Sequence, residues 1–298
     1  MLFLSICWLI AAALICFGFL LVSAKSFVPN LIPNLYLFGK IRGLNGNELP
    51  KNRFLQVPKS WFCHFYLAGI MCNSLVLLSA CWTYFYSGHW PGLVHQVMSA
   101  LGYIKNYNLM SPVPVIIAIV MIEIQVTRRF LECVFINSYS SSTMSIVIYT
   151  VGVMYYSFIG ISVLCQAQET VIDLNTLSIR RYEIVAVVIF SYASYRQYRV
   201  NRIFAKLRQD KNGMVNDVKH HIPHGDLFEL CSCPHYLMEI IIYASIASMF
   251  ALQHEILICV WIFVASNQVI SAFLTHSWYR QTFPNYPRDR KALIPYLF

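Results

Sequence analysis

Long apolar runs constrain the fold of this chain more than any other feature. A helix needs about 20 apolar residues to cross the roughly 30 Å hydrocarbon core of a bilayer. Seven runs approach that length, and they are Leu2–Ala24, Trp61–Tyr84, Pro112–Thr127, Met144–Gln166, Tyr182–Ser194, His235–Leu252 and Ile256–Thr275. The chain is 58% hydrophobic and 12% charged, with a mean hydropathy of +0.56, which is more apolar surface than one aqueous core can bury. The sequence therefore predicts an all-α membrane protein with about seven transmembrane helices, in a single multi-pass domain spanning residues 1–298.

The basic residues predict how these helices are oriented. With seven spans and the N-terminus outside the cytosol, 18 of the 22 Lys and Arg residues fall in loops on the side of the C-terminus. Lys105, Arg180 and Arg181 fall on the opposite side. Because cytosolic loops are enriched in Lys and Arg, we expect a lumenal N-terminus and a cytosolic C-terminus. The net charge of +9 then reflects topology and contact with anionic membrane lipids, and it offers no soluble basic face for nucleic acid.

The stretch HHIPHGDLFELCSCPHYLME, at positions 220–239, concentrates polar side chains. Its four histidines, two cysteines and three carboxylates are residue types that bind metals. A structural zinc site needs four ligands at a recognisable spacing such as Cys-x2-Cys, and Cys231 and Cys233 lack it. The residues alone leave open a zinc site, a solvated loop with surface histidines, and a loop that contacts a cofactor. We assign no residue as a metal ligand.

Several motifs in this stretch and elsewhere occur in a fixed order. IPHGDLFELCSCPHYLMEIIIY is followed near the C-terminus by SAFLTHSWYRQTFPNYPRDRKALIPYLF. Four further segments precede them: LYLFGK (35–40), VPKSWFCHFY (57–66), RRFLECVF (128–135) and YYSFIGISVLCQ (155–166). Together these motifs resemble the steroid 5α-reductase family, and within it the polyprenal reductase branch, over nearly the whole chain. The family's C-terminal reductase region corresponds to about residues 128–298.

This resemblance implies a reductase of the endoplasmic reticulum membrane that uses NADPH, with a cofactor cavity open to the cytosol. Polyprenal or another isoprenoid lipid would enter the site from the bilayer. The basic residues on the cytosolic side suit the phosphates of a dinucleotide. No G-x-G-x-x-G motif follows a strand, which excludes a Rossmann cofactor site.

The resemblance also implies which residues contact the cofactor. The candidates are Gln197, Asn201, Arg208, His221, His235, Glu239, His276 and Tyr279. Glu239 lies four residues after His235, so both share one helix face, and this pair is expected at the nicotinamide end. Arg208 is suited to a phosphate. Arg129 and Glu132, three residues apart, are expected to form either an internal ion pair or part of the site.

The proton donor is expected on the second apolar run. Steroid-reducing relatives place a Gln-Glu pair there, where this chain has His64 and Phe65. Because the carboxylate is absent, His64 is our first candidate for the donor and Tyr66 the second; both side chains can donate a hydrogen bond.

The missing carboxylate bears on the substrate. A hydride adds to a carbon–carbon double bond only when the bond is electron-poor, and conjugation to a carbonyl makes it so. Polyprenal, an unsaturated aldehyde, is therefore favoured over polyprenol. The alternatives are a 3-oxo-Δ4-steroid 5α-reductase, a membrane methyltransferase that uses S-adenosylmethionine, and a non-catalytic lipid-binding protein.

Overall fold

The fold is built from long helices. The computed structural model describes residues 2–23, 56–104, 107–137, 143–173, 178–207 and 221–297. Within these ranges the α-helices are α1 (Phe3–Ser23), α2 (Phe62–Trp82), α3 (Gly92–Ala100), α4 (Pro112–Phe135), α5 (Ile146–Leu164), α6 (Arg181–Lys206), α7 (Pro234–Ser248) and α8 (Glu255–Thr282). Four stretches are long and apolar enough to cross a bilayer, namely Phe3–Leu21, Lys59–Ser87, Ile146–Leu164 and Glu255–Thr282. The chain is therefore a mostly helical membrane protein.

Each of the seven predicted apolar runs coincides with a helix, and four of these helices qualify as membrane spans by length and hydropathy. Three helices extend beyond the predicted runs: α4 continues through the two arginines to Phe135, α6 continues to Lys206, and α8 continues to Thr282. The polar residues in the extensions of α4 and α6 are packed against other helices, so they do not end the helix. The short helix α3 was not predicted, because its nine residues fall below the length of an apolar run.

Local sequence signals fix several helix starts. Pro112 and Pro234 lie in the first turns of α4 and α7, where the missing backbone N–H costs no helical hydrogen bond. The Ser145 hydroxyl accepts a hydrogen bond from the backbone of Val147 and caps α5. His254 caps α8, since its Nδ1 accepts a hydrogen bond from the backbone of Leu257.

Two short strands join the starts of α2 and α5. Strand β1 (Gln56–Pro58) pairs antiparallel with β2 (Thr143–Ser145), and Val57 lies opposite Met144. Both strands lead directly into membrane helices, so the pairing holds the beginnings of α2 and α5 side by side.

The helices pack in two groups. In the first, α2 packs against α4 and α5; in the second, α7 packs against α6 and α8, and α8 packs against α1. Side chains such as Ile122 in α4 and Ile242 in α7 are fully buried. Contacts between the groups are fewer, and α4 faces α6 and α7 across the boundary. Polar side chains of α4, α6 and α7 bond to one another at this boundary.

Candidate active site

A buried ion-pair cluster lies in the C-terminal half of α4. Arg128 and Arg129 both pair with Glu132, whose side chain is 1% exposed. Asn201, on α6, donates a hydrogen bond from Nδ2 to Glu132 Oε2 at 2.7 Å. The predicted contact between Arg129 and Glu132 is therefore an ion pair, and it binds a side chain of α6.

Carboxamide side chains extend this cluster to α7. Gln197 donates from Nε2 to Glu239 Oε2 and to the backbone oxygen of His235, the latter at 3.2 Å. Gln125 donates from Nε2 to the same Glu239 oxygen at 3.3 Å. Arg128 Nη2 donates to Gln125 Oε1 at 2.6 Å and also to Gln197 Oε1. The predicted residues Gln197, Asn201 and Glu239 therefore belong to one hydrogen-bonded network.

A cavity of about 360 Å³ opens beside this network. It is lined by Lys59, Phe62, Tyr66, Arg129, Cys133, Asn137, Asn201, Phe204, Ala205 and His235. Its polar groups include two cations and a phenol, and its remaining walls are aromatic or aliphatic. Cavities of this size that combine apolar walls with a few convergent polar groups are typical of small-molecule sites.

Four residues named from the sequence line the cavity, namely Tyr66, Arg129, Asn201 and His235. Arg129 Nη2 donates to the Tyr66 hydroxyl oxygen at 3.3 Å, and its guanidinium carbon lies 5.4 Å from the centre of the Tyr66 ring. The Tyr66 ring packs on Tyr156 with centroids 4.7 Å apart. Nδ1 of His235 is buried and has no hydrogen-bond partner among the described residues. A polar ligand in the cavity would supply the partner that this nitrogen lacks.

The first donor candidate, His64, is not among the cavity-lining residues. Its Nδ1 lies 3.2 Å from the Tyr149 hydroxyl, and its ring packs near Trp61. Phe65 faces α5, because a Cβ added at Gly152 would lie 2.7 Å from its ring. His64 and Phe65 thus both contact α5, and of residues 64 to 66 only Tyr66 lines the cavity.

His276 and Tyr279 lie together in a separate cluster. The Ser232 hydroxyl is 2.6 Å from His276 Nδ1 and 2.6 Å from the Tyr286 hydroxyl. Tyr279 stacks on Tyr286 with ring centroids 5.3 Å apart. Neither predicted residue lines the cavity described above.

The C-terminal segment, residues 283–297, packs against the loop before α7. Ser232 N–H donates to the Lys291 carbonyl at 2.8 Å, and Lys291 N–H donates to the Leu230 carbonyl at 3.2 Å. Arg290 is 2% exposed, and its Nη1 donates to the Pro223 carbonyl at 3.0 Å. These contacts hold the loop that precedes α7, and α7 positions His235 and Glu239 in the site.

The described part of the 220–239 stretch does not gather its potential metal ligands. In the residues that the structure describes, no group of three or more His, Cys, Asp or Glu side chains could hold a metal ion. Burial raises the pKa of the Cys231 thiol to about 11, which disfavours the thiolate that binds metals. His221 is exposed, and Arg208 lies outside the described residues.

The sequence did not single out Gln125, Arg128 or Lys59. Gln125 and Arg128 are polar residues in or just after an apolar run and lie three apart, on one helix face. Polar side chains placed in this way in a membrane helix usually face a cavity or one another, which was the available signal.

The C-terminal two-thirds of the chain matches a known family. Residues 112–298 match the model for 3-oxo-5-alpha-steroid 4-dehydrogenase. The chain belongs to this family. Membership makes it a reductase and indicates a nicotinamide cofactor. The matched region includes the helices α4 to α8. It therefore includes the ion-pair cluster, Gln125 and Gln197, and the C-terminal segment.

Curated relatives extend the similarity over the rest of the chain. A polyprenal reductase of Caenorhabditis elegans is 32% identical over 91% of this chain and 88% of its own length. The polyprenal reductase of Ailuropoda melanoleuca is 32% identical over 98% of this chain and 94% of its own length. The human polyprenal reductase is 30% identical over 91% of this chain and 89% of its own length. The alignment with these relatives therefore also covers α2 and Tyr66.

Proposed function

We propose that this chain reduces the α-isoprene double bond of polyprenal with NADPH and forms dolichal. The observation that supports this most is the cavity in which Tyr66 and Arg129 meet, next to the buried network of Glu239, in a chain similar to polyprenal reductases over nearly its full length. A separate reductase would convert dolichal into dolichol, which supports protein N-glycosylation.

The residues present suit the cofactor. NADPH, when bound, supplies the hydride. Lys59 and Arg129 provide positive charge in the cavity, and the unpartnered His235 Nδ1 offers a hydrogen-bonding atom. Gln197 and Glu239 hold the first turns of α7 against α6, and we assign them to the nicotinamide end. Asn201, Arg208, His221, His276 and Tyr279 remain further cofactor-contact candidates.

Tyr66 is our proposed hydrogen-bond donor to the substrate aldehyde. Its oxygen accepts from Arg129, which leaves the phenolic proton for an acceptor in the cavity. As negative charge develops on the aldehyde oxygen, Tyr66 donates to it, and the Arg129 cation stabilises the charge that this shifts onto the phenol oxygen. His64 is our second candidate, since its ring lies outside the cavity wall.

An assay with parallel substrates tests the proposed reaction. Membranes with and without this chain receive polyprenal, polyprenol and a Δ4-3-ketosteroid, each with NADPH or NADH. We expect consumption of polyprenal with NADPH. Turnover of polyprenol but not polyprenal would overturn the choice of aldehyde, and turnover of the steroid alone would establish the steroid reductase.

Thermal stability distinguishes the cofactor class. NADPH should raise the melting temperature of the purified protein, because a ligand that binds only the folded state stabilises it. Stabilisation by S-adenosylmethionine instead would support a methyltransferase.

We further propose seven membrane crossings in the endoplasmic reticulum, in which α4, α6 and α7 cross in addition to the four long apolar stretches. The cavity would then open to the cytosol. A tag after Phe298 should be reached by antibody when the plasma membrane alone is permeabilised, whereas a tag before Met1 should not.

A further inference from the structure

The short helix α3 contributes no residue to the candidate site. It begins at Gly92, soon after the apolar stretch Lys59–Ser87, which is long enough to cross a bilayer. The five Cα–Cα steps from Ser87 to Gly92 reach at most about 18 Å, so α3 starts close to the end of that stretch. The sequence from Thr83 to Ile104 contains no Asp, Glu, Lys or Arg.

The four helices that contain the long apolar stretches end at one common face of the bundle. Leu2 N–H donates to Glu255 Oε1 at 3.0 Å, which joins the start of α1 to the start of α8. His254 Nε2 bonds to the Val163 carbonyl at 3.1 Å, next to the end of α5. In the segment after α5, a backbone N–H donates to the Tyr84 carbonyl at 2.8 Å, close to the end of α2. This face therefore marks one boundary of the membrane.

Contacts on both sides of α3 hold it at this boundary. Trp90, just before α3, packs edge-on against Tyr84 with ring centroids 5.4 Å apart. Gly102, just after α3, lies so close to the start of α1 that an added Cβ would be 2.8 Å from Phe3 Cβ. Within α3, Met98 is fully buried. The helix thus lies across the end of α2 and the start of α1.

The side chains of α3 form three separate faces. Successive residues of a helix are turned by about 100°, so Val97 lies about 40° from Leu93, Met98 about 140° and His95 about 160°. Leu93 is 75% exposed and Val97 is 40% exposed, whereas Met98 is buried. His95 is exposed on the polar face. A helix with exposed apolar and polar faces, lying at a membrane boundary, is typical of interfacial helices.

The neighbouring end of α2 also suits the membrane interface. Trp82, Phe85 and Tyr86 are 54%, 49% and 77% exposed there. Aromatic side chains favour the level of the lipid headgroups, and Trp and Tyr favour it most. The exposed apolar face of α3 therefore continues a surface that already meets lipid.

We propose that α3 binds the phospholipids that border this face of the bundle. Leu93 and Val97 insert among the acyl chains, and His95 points toward water. Because α3 has no Lys or Arg, binding comes from apolar burial and requires no anionic headgroup. Zwitterionic phospholipid is therefore sufficient.

The test places the photoreactive residue p-benzoylphenylalanine at Leu93 in the full chain, reconstituted in phosphatidylcholine vesicles. The same residue at His95 is the matched control, on the opposite side of the same helix. After illumination, peptide mass mapping should find a phosphatidylcholine adduct at position 93, and this adduct should be lost when the probe is at position 95.

Val97 provides a second position on the apolar face, and it decides the question when the variant at Leu93 does not fold. A melting temperature in detergent equal to that of the unmodified chain identifies a folded variant. Equal lipid adducts at positions 93 and 95 would overturn the proposal. Crosslinks from positions 93 and 97 to protein in place of lipid, or no lipid adduct at either position in a folded variant, would overturn it as well.

Discussion

At the scale of single residues, Tyr66 and His64 provide the sharpest comparison, because they are neighbours on α2 and only Tyr66 lines the cavity. Tyr66→Phe removes one hydroxyl and keeps the ring that packs on Tyr156. We expect kcat for polyprenal to fall on the order of 10²–10³-fold, as on removal of one oxyanion donor, with the KM for NADPH nearly unchanged.

His64→Phe is the matched control for this change. It keeps an aromatic ring near Trp61 and should retain most of the activity. The reverse pattern, in which His64→Phe abolishes turnover and Tyr66→Phe does not, would return the donor role to His64.

Substitution of Glu239 tests cofactor binding, whereas substitution of Tyr66 tests catalysis. Glu239→Gln replaces an acceptor of two carboxamide N–H groups with a side chain that carries its own N–H donors. Since a hydrogen bond to a charged group contributes about 1.5–3 kcal/mol, we expect the KM for NADPH to rise about 10- to 100-fold. Glu123→Gln removes a carboxyl from α4 outside this network and should leave that KM unchanged.

At the scale of the helices, α2 and α5 approach each other closely at Gly160. A Cβ at Gly160 would lie 2.1 Å from Asn73 Oδ1, and Asn73 is fully buried with its Nδ2 bonded to the Gly69 carbonyl at 2.7 Å. Gly160→Ala should therefore force Asn73 to move and cost about 1–3 kcal/mol, as overpacking does.

This cost is measurable as a lower melting temperature in detergent. Gly92→Ala, in α3, is the control, because a Cβ there meets nothing within 4 Å. A melting temperature for Gly160→Ala equal to that of Gly92→Ala would contradict the close packing of α2 and α5.

The helices themselves were largely predictable from the sequence, and the reason is physical. A bilayer demands long apolar runs, so Trp61–Tyr84 and Met144–Gln166 correspond closely to α2 and α5. Hydropathy does not set the ends of α4 and α6, where Arg128, Glu132 and Asn201 bond to one another.

The site was predictable in part. Family motifs brought Gln197, Asn201 and Glu239 into one list, and the structure joins them in one network. The motifs could not tell that His276 and Tyr279 pack around Ser232, apart from the described cavity, since that depends on how the C-terminal segment folds back. Nor could spacing alone decide between His64 and Tyr66, because a helix turns by about 100° per residue.

At the scale of the whole molecule, a buried histidine joins the C-terminal end of α5 to the start of α8. His254 Nε2–H donates to the Val163 carbonyl at 3.1 Å, while Nδ1 caps α8. Burial lowers the pKa of His254 to about 4. In the unfolded chain the pKa is about 6.5, so the unfolded state binds more protons between these values and stability falls as the pH falls.

We therefore expect this residue to destabilise the protein by about 2 kcal/mol at pH 5 relative to pH 7, and to lower the melting temperature in detergent. His254→Asn keeps a capping side chain that does not titrate, so its melting temperature should depend less on pH in this range. An equal pH dependence in both proteins would assign the effect to other groups.

The pairing of the C-terminal segment with residues 230–233 has a consequence for synthesis of the protein. Lys291 and Ala292 accept hydrogen bonds from Ser232 and Cys233, just before the helix that carries His235 and Glu239. Lys291 and Ala292 follow both α7 and α8 in the chain, so α7 has already been made when they leave the ribosome. The loop before α7 therefore acquires these contacts only after two later segments have been synthesised, and a stop codon that removes the segment from Arg290 onward should be as harmful to the gene as one much earlier.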